Sequence, residues 1–257
     1  VSDLVNIGDS SRLKAWLLAI TTAILGVTIL EYNEVINVSD SRIPYRNSVF
    51  FWPRYIIGGI MFGIGMTLAS GCGNKILIRI GGGNFKSIFV LLVAGLMALL
   101  MTRTDFYGSF FHSWMNPISP DLAKMGMNDQ SVHSIFSAIT GIDSSSILIK
   151  VIIPLLICGI LLKYILFSDS KIKSDNILSG VVVGLVVTFA WLLTGGDFGQ
   201  SWIENNDFLD TPYPAVGVQS FTFINPMGEV LIYTSNLFDN YYFTFGVAAL
   251  LSTIFGS

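Results

Sequence analysis

Long runs of apolar residues without acidic or basic side chains recur along the chain, separated by polar stretches. They cover residues 15–30, 55–74, 87–102, 147–167, 177–196 and 241–257; only the fourth is interrupted, by Lys150 and Lys163 close to its ends. A helix needs about 17 to 25 such residues to cross a bilayer. The pattern predicts an all-α integral membrane protein with about six membrane spans, the last just long enough to cross.

Composition supports a membrane protein and excludes several other classes. Hydrophobic residues make up 52% of the 257 residues and charged residues only 12%, against about 25% charged residues in soluble domains. With 14 basic and 17 acidic residues, the chain has no basic face for a nucleic-acid partner. These values argue against a soluble enzyme, a disordered regulator and a nucleic-acid binder.

The length fits a single transmembrane domain, residues 1–257. The sequence stops at Gly256 and Ser257, directly after an apolar run. We therefore expect a chain truncated at its C-terminus.

The polar stretches differ in charge, and that difference predicts the orientation. Basic residues concentrate before the first span, after the second and after the fourth: Arg12, Lys14, Lys75, Arg79, Lys86, Lys163, Lys171 and Lys173. Residues 197–240 carry six acidic residues and no basic one. Because basic loops stay on the cytoplasmic side, we expect a cytoplasmic N-terminus and an acidic outer loop.

Two connecting stretches are too apolar to be simple linkers. Residues 104–146 include Phe110, Phe111, Trp114 and Met115 among polar residues, which suits a helix lying at the membrane interface. Residues 218–238 are apolar but interrupted by Asn225, Pro226 and Gly228. A re-entrant segment and a strand-like cap over the outer face fit this stretch equally well.

The segment from Gly58 to Asn84 is unusually rich in glycine. Gly59 and Gly63 form a small-residue face that would let another helix approach. The group Ser70, Gly71, Cys72, Gly73 and Asn74 is different, because glycines on both sides of a cysteine break a helix and expose its amides. Such a helix end suits an anion. We expect a short half-helix over residues 75–80, a turn at 81–84 and a return into the third span.

Two further features leave alternatives open. Cys158 lies in an ordinary apolar stretch and is best explained as a small buried hydrophobe. Gly180, Gly184 and Thr188 repeat the spacing of Gly59, Gly63 and Thr67. Either the chain contains an inverted repeat around a central pore, or the match is chance.

The segment GGIMFGIGMTLASGCGNKILIRIGGGN resembles the hallmark segment of the YeeE/YedE family of sulfur-transport, thiosulfate-uptake membrane proteins. The stretches FINPMGEVLIY and GVAALLSTIFGS are similar to segments of the family's second half. The resemblance implies helices and short re-entrant pieces around a narrow, cysteine-lined pore. It also implies that Cys72 meets passing thiosulfate. Family members usually carry another Gly-Cys segment after the Gly-Ser helix, and this sequence ends before it.

The expected function is therefore thiosulfate uptake across the bacterial inner membrane. The alternatives are transport of another sulfur or selenium species, a redox subunit and a non-transport membrane partner. We expect the protonated Cys72 thiol to contact the terminal sulfur of the anion while nearby amides hold its oxygens. The predicted substrate path is Ser70, Gly71, Cys72, Gly73 and Asn74, with Lys75, Arg79, Asn84, Asn225 and Thr194 as secondary candidates.

Lys75 and Arg79 could draw the anion inward or serve only as cytoplasmic topology charges. We expect no metal site, no cofactor and no enzymatic activity, since the two histidines, His112 and His133, both lie in a loop. The expected partners are the sulfur anion and membrane lipid. A cytoplasmic sulfur-carrier protein, channel-like passage and proton coupling all remain open as the means of driving uptake.

Overall fold

The computed structural model describes residues 8–41, 47–69, 71–127, 129–141, 147–168 and 172–257, and most of them are helical. The helices are α1 (Ser11–Tyr32), α2 (Trp52–Leu68), α3 (Gly73–Gly81), α4 (Lys86–Arg103), α5 (Val132–Thr140), α6 (Ile147–Phe167), α7 (Ser174–Gly195), α8 (Asp197–Asp207), α9 (Ile224–Ser235) and α10 (Phe245–Phe255). Short helical turns cover Val38–Asp40, Gly108–His112, Ser113–Met115, Asn116–Ile118, Leu122–Met125 and Asn240–Tyr242. The predicted all-α fold is confirmed.

Among the described residues, five helical stretches are long and apolar enough to cross a membrane. They are Ser11–Tyr32, Trp52–Gly81, Lys86–Arg103, Ile149–Phe167 and Ser174–Gly195. The second of these stretches contains the break between α2 and α3. The sixth predicted span corresponds to α10, whose 11 residues extend for only about 16 Å, roughly half of a bilayer core.

The helices pack into two compact units. The first comprises Val1–Asn47, Met125–Leu209 and Gly217–Ser220, and the second comprises Ser48–Lys124, Asp210–Val216 and Phe221–Ser257. Two packed units can belong to one functional domain, so the single transmembrane domain stays a prediction.

In the first unit, α1 packs closely against α7 through glycine. A Cβ on Gly184 would lie 2.7 Å from the carbonyl oxygen of Ala19, and one on Gly180 would lie 2.7 Å from that of Ala15. Only hydrogen at these positions allows the two backbones to approach so closely. Helix α6 also packs on α1, where the buried Cys158 thiol donates to the Thr21 carbonyl at 3.7 Å.

The glycines of α2 do not pack in this way. Among the described residues, nothing lies within 4 Å of a Cβ placed on Gly59 or Gly63. The packing face predicted for this pair therefore stays a prediction. Gly59 and Gly63 share spacing with Gly180 and Gly184 but not surroundings, so the spacing does not support an inverted repeat.

The second unit is built around α9. Gly95 of α4 faces Gly228 of α9, and a Cβ on Gly228 would lie 3.1 Å from the Gly95 carbonyl oxygen. Buried Leu77, Met227 and Leu250 bring α3, α9 and α10 into one apolar core. The strand-like cap considered for residues 218–238 is wrong, because Ile224–Ser235 is a helix. At 12 residues it is also too short to span a bilayer.

The connection after α4 consists of short helical turns, with exposed Phe110 and Trp114 and a buried Met115. Ser131 then caps α5 through its hydroxyl, which accepts from the Ser134 amide. Partial burial disfavours the charged form of the Asp129 carboxylate, but hydrogen bonds from Ser131 outweigh it. They hold the pKa of Asp129 below its ordinary value.

Candidate functional site

The predicted break in the glycine-rich segment is confirmed. Helix α2 ends at Leu68, and Cys72 is the N-cap residue of α3, with an extended backbone at φ −77° and ψ 169°. Gly71 has a φ of +155°, a conformation that glycine adopts without a Cβ clash. Ser70, which was predicted to belong to the path, lies outside the described residues.

The start of α3 presents a thiol and backbone amides together. The first helical hydrogen bond runs from the Ile76 amide to the Cys72 carbonyl at 3.1 Å. The amides of Gly73, Asn74 and Lys75 therefore come before the first hydrogen bond of the helix. In the described part of the chain, the Cys72 side chain makes no capping bond to them. It is exposed, so its sulfur is open to a solute.

The first turn of α9 packs directly on this helix start. A Cβ on Gly73 would lie 3.0 Å from Ile224 Cδ1, 3.2 Å from Met227 Cε and 3.6 Å from Phe223 Cβ. Glycine at position 73 thus lets the two helix starts approach. Pro226 fits in the first turn because its missing N–H would have no helical partner there.

The start of α10 lies against the same turn of α9. A Cβ on Gly246 would lie 2.8 Å from Pro226 Cγ and 3.0 Å from Glu229 Oε2. The Thr244 hydroxyl caps α10 by accepting from the Val247 amide at 3.2 Å, and it donates to Glu229 Oε2 at 2.7 Å. The starts of α3, α9 and α10 therefore meet around one turn of chain; we call this group the helix-start cluster.

Asn74 and Lys75, predicted for the substrate path, also lie in the helix-start cluster. Asn74 is partly buried in the first turn of α3 and Lys75 is exposed. The stem of Lys75 lies beneath Gly71, where a Cβ would be 2.5 Å from Lys75 Cδ. The ammonium group therefore extends from the same turn that carries Cys72.

Arg79 and Asn84 lie at the opposite end of α3, about 10 Å from its start. Arg79 is in the last turn, and its carbonyl accepts from the Asn84 amide at 2.8 Å. This bond closes the turn that leads into α4, so the structure does not bring these two residues to Cys72.

The two remaining candidates have structural partners. The Asn225 amide group donates to Glu229 Oε1 at 3.0 Å within α9. Thr194 is buried in the first unit, where its hydroxyl donates to the Gln219 carbonyl at 2.6 Å and accepts from the Gln219 amide at 3.1 Å. Thr194 thus holds the segment that precedes α9, and it is not part of the helix-start cluster.

Glu229 is the member of the cluster that the sequence prediction missed. It was counted among the acidic residues of an outer loop, and its side chain is only 2% exposed. This burial arises because α9 folds into the core of the second unit. A usable signal was present: an acid in an otherwise apolar stretch, four residues after an asparagine, places both side chains on one helix face.

Positive charge gathers at the start of α3. Helix N-termini carry a positive partial charge and point amide N–H groups outward. Lys75 adds a full positive charge, and among the described residues it has no acidic partner. Searching those same residues finds no group of three side chains able to hold a metal ion.

Apolar helices long enough to cross a bilayer, together with short helices whose starts converge, define an all-α membrane protein. The family model for sulphur transport matches residues 1–257, and the chain belongs to this family, the YeeE/YedE sulfur transporters. No curated protein matches the chain. No solved structure matches it either.

Proposed function

We propose that this sulfur transporter takes up thiosulfate and that Cys72 contacts the anion during passage. The observation that carries the proposal is the exposed Cys72 thiol at the N-cap of α3, next to amides that precede the helical ladder. One end of thiosulfate is a soft sulfur and the other carries hard oxygens. The start of α3 offers a soft group and hard donors side by side.

The chemistry requires a loose contact. A cysteine S–H is a weak donor, so it can distinguish a terminal sulfur from an oxygen without holding it firmly. Amide N–H groups at the helix start hold the oxygens. Weak, multiple contacts allow the anion to leave as well as to enter. A protonated thiol serves this role because a thiolate would repel a dianion.

Lys75 supplies the attraction that brings the anion to Cys72. Its stem lies under Gly71 and its ammonium group is exposed, so its charge acts near the start of α3. Arg79 and Asn84 close the far end of α3, and we assign them no contact with the anion in this proposal.

The proposed setting is the bacterial inner membrane, with the N-terminus in the cytoplasm. The support is the basic bias of the N-terminal tail and of the segment from Lys75 to Lys86. A cytoplasmic sulfur-carrier protein that accepts the anion would make uptake directional. Reporter fusions at the two termini of α1 test the orientation: a reporter active only in the cytoplasm should work at residue 11 and fail at residue 33.

The central test measures uptake of radiolabelled thiosulfate into vesicles. Cys72→Ala and Cys72→Ser should each reduce uptake by about tenfold or more, because both remove the soft contact. Cys158→Ala is the matched control, since that thiol is buried against Thr21, and it should retain uptake. Wild-type rates in both Cys72 variants would contradict the proposal.

Competition experiments identify the cargo. An excess of unlabelled thiosulfate should suppress uptake, whereas sulfate, which lacks the soft sulfur, should not. If selenosulfate or sulfide competes better than thiosulfate, the cargo is a related sulfur or selenium species instead.

A further inference from the structure

A buried carboxylate joins two of the helix starts in the helix-start cluster. Glu229 is 2% exposed and lies in the second turn of α9. Its Oε1 accepts from the Asn225 amide group at 3.0 Å, and its Oε2 accepts from the Thr244 hydroxyl at 2.7 Å. The same hydroxyl caps α10. One side chain therefore fixes the first turn of α9 to the start of α10.

Burying this charge is costly unless it is compensated. A buried carboxylate needs hydrogen-bond partners and opposite charge nearby. The structure supplies the partners through Asn225 and Thr244, and the start of α10 supplies the positive partial charge. Glu229 Oε2 lies close enough to touch a Cβ on Gly246, within the first turn of α10. Glu229 therefore acts as an internal anion for this helix.

The three helix starts differ in how they are capped. In the described residues, neither Cys72 nor Phe223 caps its helix with a side chain, whereas α10 has both the Thr244 cap and the Glu229 carboxylate. The same turn of α9 has two sides. One side carries the negative charge of Glu229, and the other side contacts Gly73.

We propose that Glu229 is a positioning residue that also sets how tightly the cluster holds its anion. It fixes the start of α10 to the first turn of α9, which packs on α3, and its charge opposes part of the attraction of the helix ends and Lys75. Without that charge the passing anion would bind more tightly and leave more slowly. This inference rests on the proposed function for the identity of the anion, but the charge effect can be measured without transport.

The first experiment measures thiosulfate uptake kinetics for Glu229→Gln and Glu229→Asp. Glu229→Gln removes the charge and should lower both KM and kcat. Repulsion between a unit charge and a dianion over roughly 10 Å of water corresponds to about a fourfold change in KM, so KM should fall by about that factor or more. Glu229→Asp keeps the charge and should keep KM close to wild type. Glu204→Gln, at an exposed acid of α8, is the matched control and should change neither constant.

A purely structural role would give a different result. It would lower kcat or the amount of folded protein in both Glu229 variants without lowering KM in Glu229→Gln alone. An unchanged or raised KM in folded Glu229→Gln would overturn the proposal.

The second experiment measures the local electrostatic potential at Cys72 in a Cys158→Ala background. Each variant is treated with a negatively charged and a neutral methanethiosulfonate reagent, and the ratio of the two labelling rates is compared. Both reagents attack the same thiol, so the ratio isolates the charge effect. Glu229→Gln should raise the anionic-to-neutral ratio by about twofold to tenfold, and Glu229→Asp should leave it unchanged.

The two experiments separate the two proposals. A wild-type protein that does not take up thiosulfate would defeat the proposed function, while a shifted labelling ratio would still support the role of Glu229. An unshifted ratio in folded Glu229→Gln would overturn that role whatever the cargo.

Discussion

The close approach of α4 and α9 gives a prediction whose size follows from the structure. In Gly95→Ala, the new Cβ would lie 2.8 Å from the Met227 carbonyl oxygen and 2.8 Å from Leu231 Cδ1. The Leu231 tip can swing away, but the Met227 carbonyl is backbone. Ordinary contact requires about 3.5 Å, so α9 must retreat by roughly 0.7 Å.

Such overpacking costs about 1–3 kcal/mol. Replacing a helical glycine by alanine also gains about 1 kcal/mol of helix propensity, which would obscure the effect in a single variant. Gly59→Ala makes the same change at a position with nothing within 4 Å among the described residues. The propensity gain cancels between the two variants, so Gly95→Ala should be less stable than Gly59→Ala by about 1–3 kcal/mol.

Reversible unfolding in mixed detergent micelles measures this difference in unfolding free energy. Thiosulfate uptake measures its effect on function. Because α9 carries the turn that packs on Gly73, uptake should fall in Gly95→Ala and stay near wild type in Gly59→Ala. Equal unfolding free energies for the two variants would refute the tight α4–α9 contact.

Three further predictions concern single side chains. Maleimide should label the exposed Cys72 readily and the buried Cys158 only after unfolding, as mass spectrometry can show. Thr194→Val should lower the unfolding free energy by about 1–3 kcal/mol, because it removes the two buried hydrogen bonds between the Thr194 hydroxyl and the Gln219 main chain; unfolding in micelles measures it. Because the pKa of Asp129 is lowered in the folded protein, its ionised form stabilises the fold. This stabilisation is present above the ordinary carboxylate pKa of about 3.9, and it is lost as the pH falls through the lowered pKa. In Asp129→Asn the loss of unfolding free energy at low pH should be smaller.

The sequence predicted the helical fold and the break at Cys72 because both depend on local pattern. Long apolar runs specify spans, and paired glycines beside a polar group interrupt a helix wherever they occur. The half-helix over residues 75–80 and the turn at 81–84 were predicted for the same reason, and α3 confirms both.

The sequence could not show which glycines find a neighbour. Gly59 and Gly184 lie in similar apolar surroundings along the chain, but only Gly184 meets another helix among the described residues. Thr194 was assigned to the path because it ends a span beside two glycines, yet its partner is 25 residues further on. Glu229 was counted only as one acid of residues 197–240, because its burial depends on α10, which comes after it in the chain.

The order in which the cluster is synthesised has a consequence for assembly of the protein. Gly73 and its contact Ile224 are separated by about 150 residues, most of which belong to the first unit. At about 5–20 residues per second, the ribosome needs roughly 10–30 s to synthesise the chain between the start of α3 and the start of α9. During that interval the Cys72 thiol of the nascent chain lacks the helix starts that pack beside it. Translation speed and the protection of thiols in the cell therefore affect the yield of correctly assembled transporter.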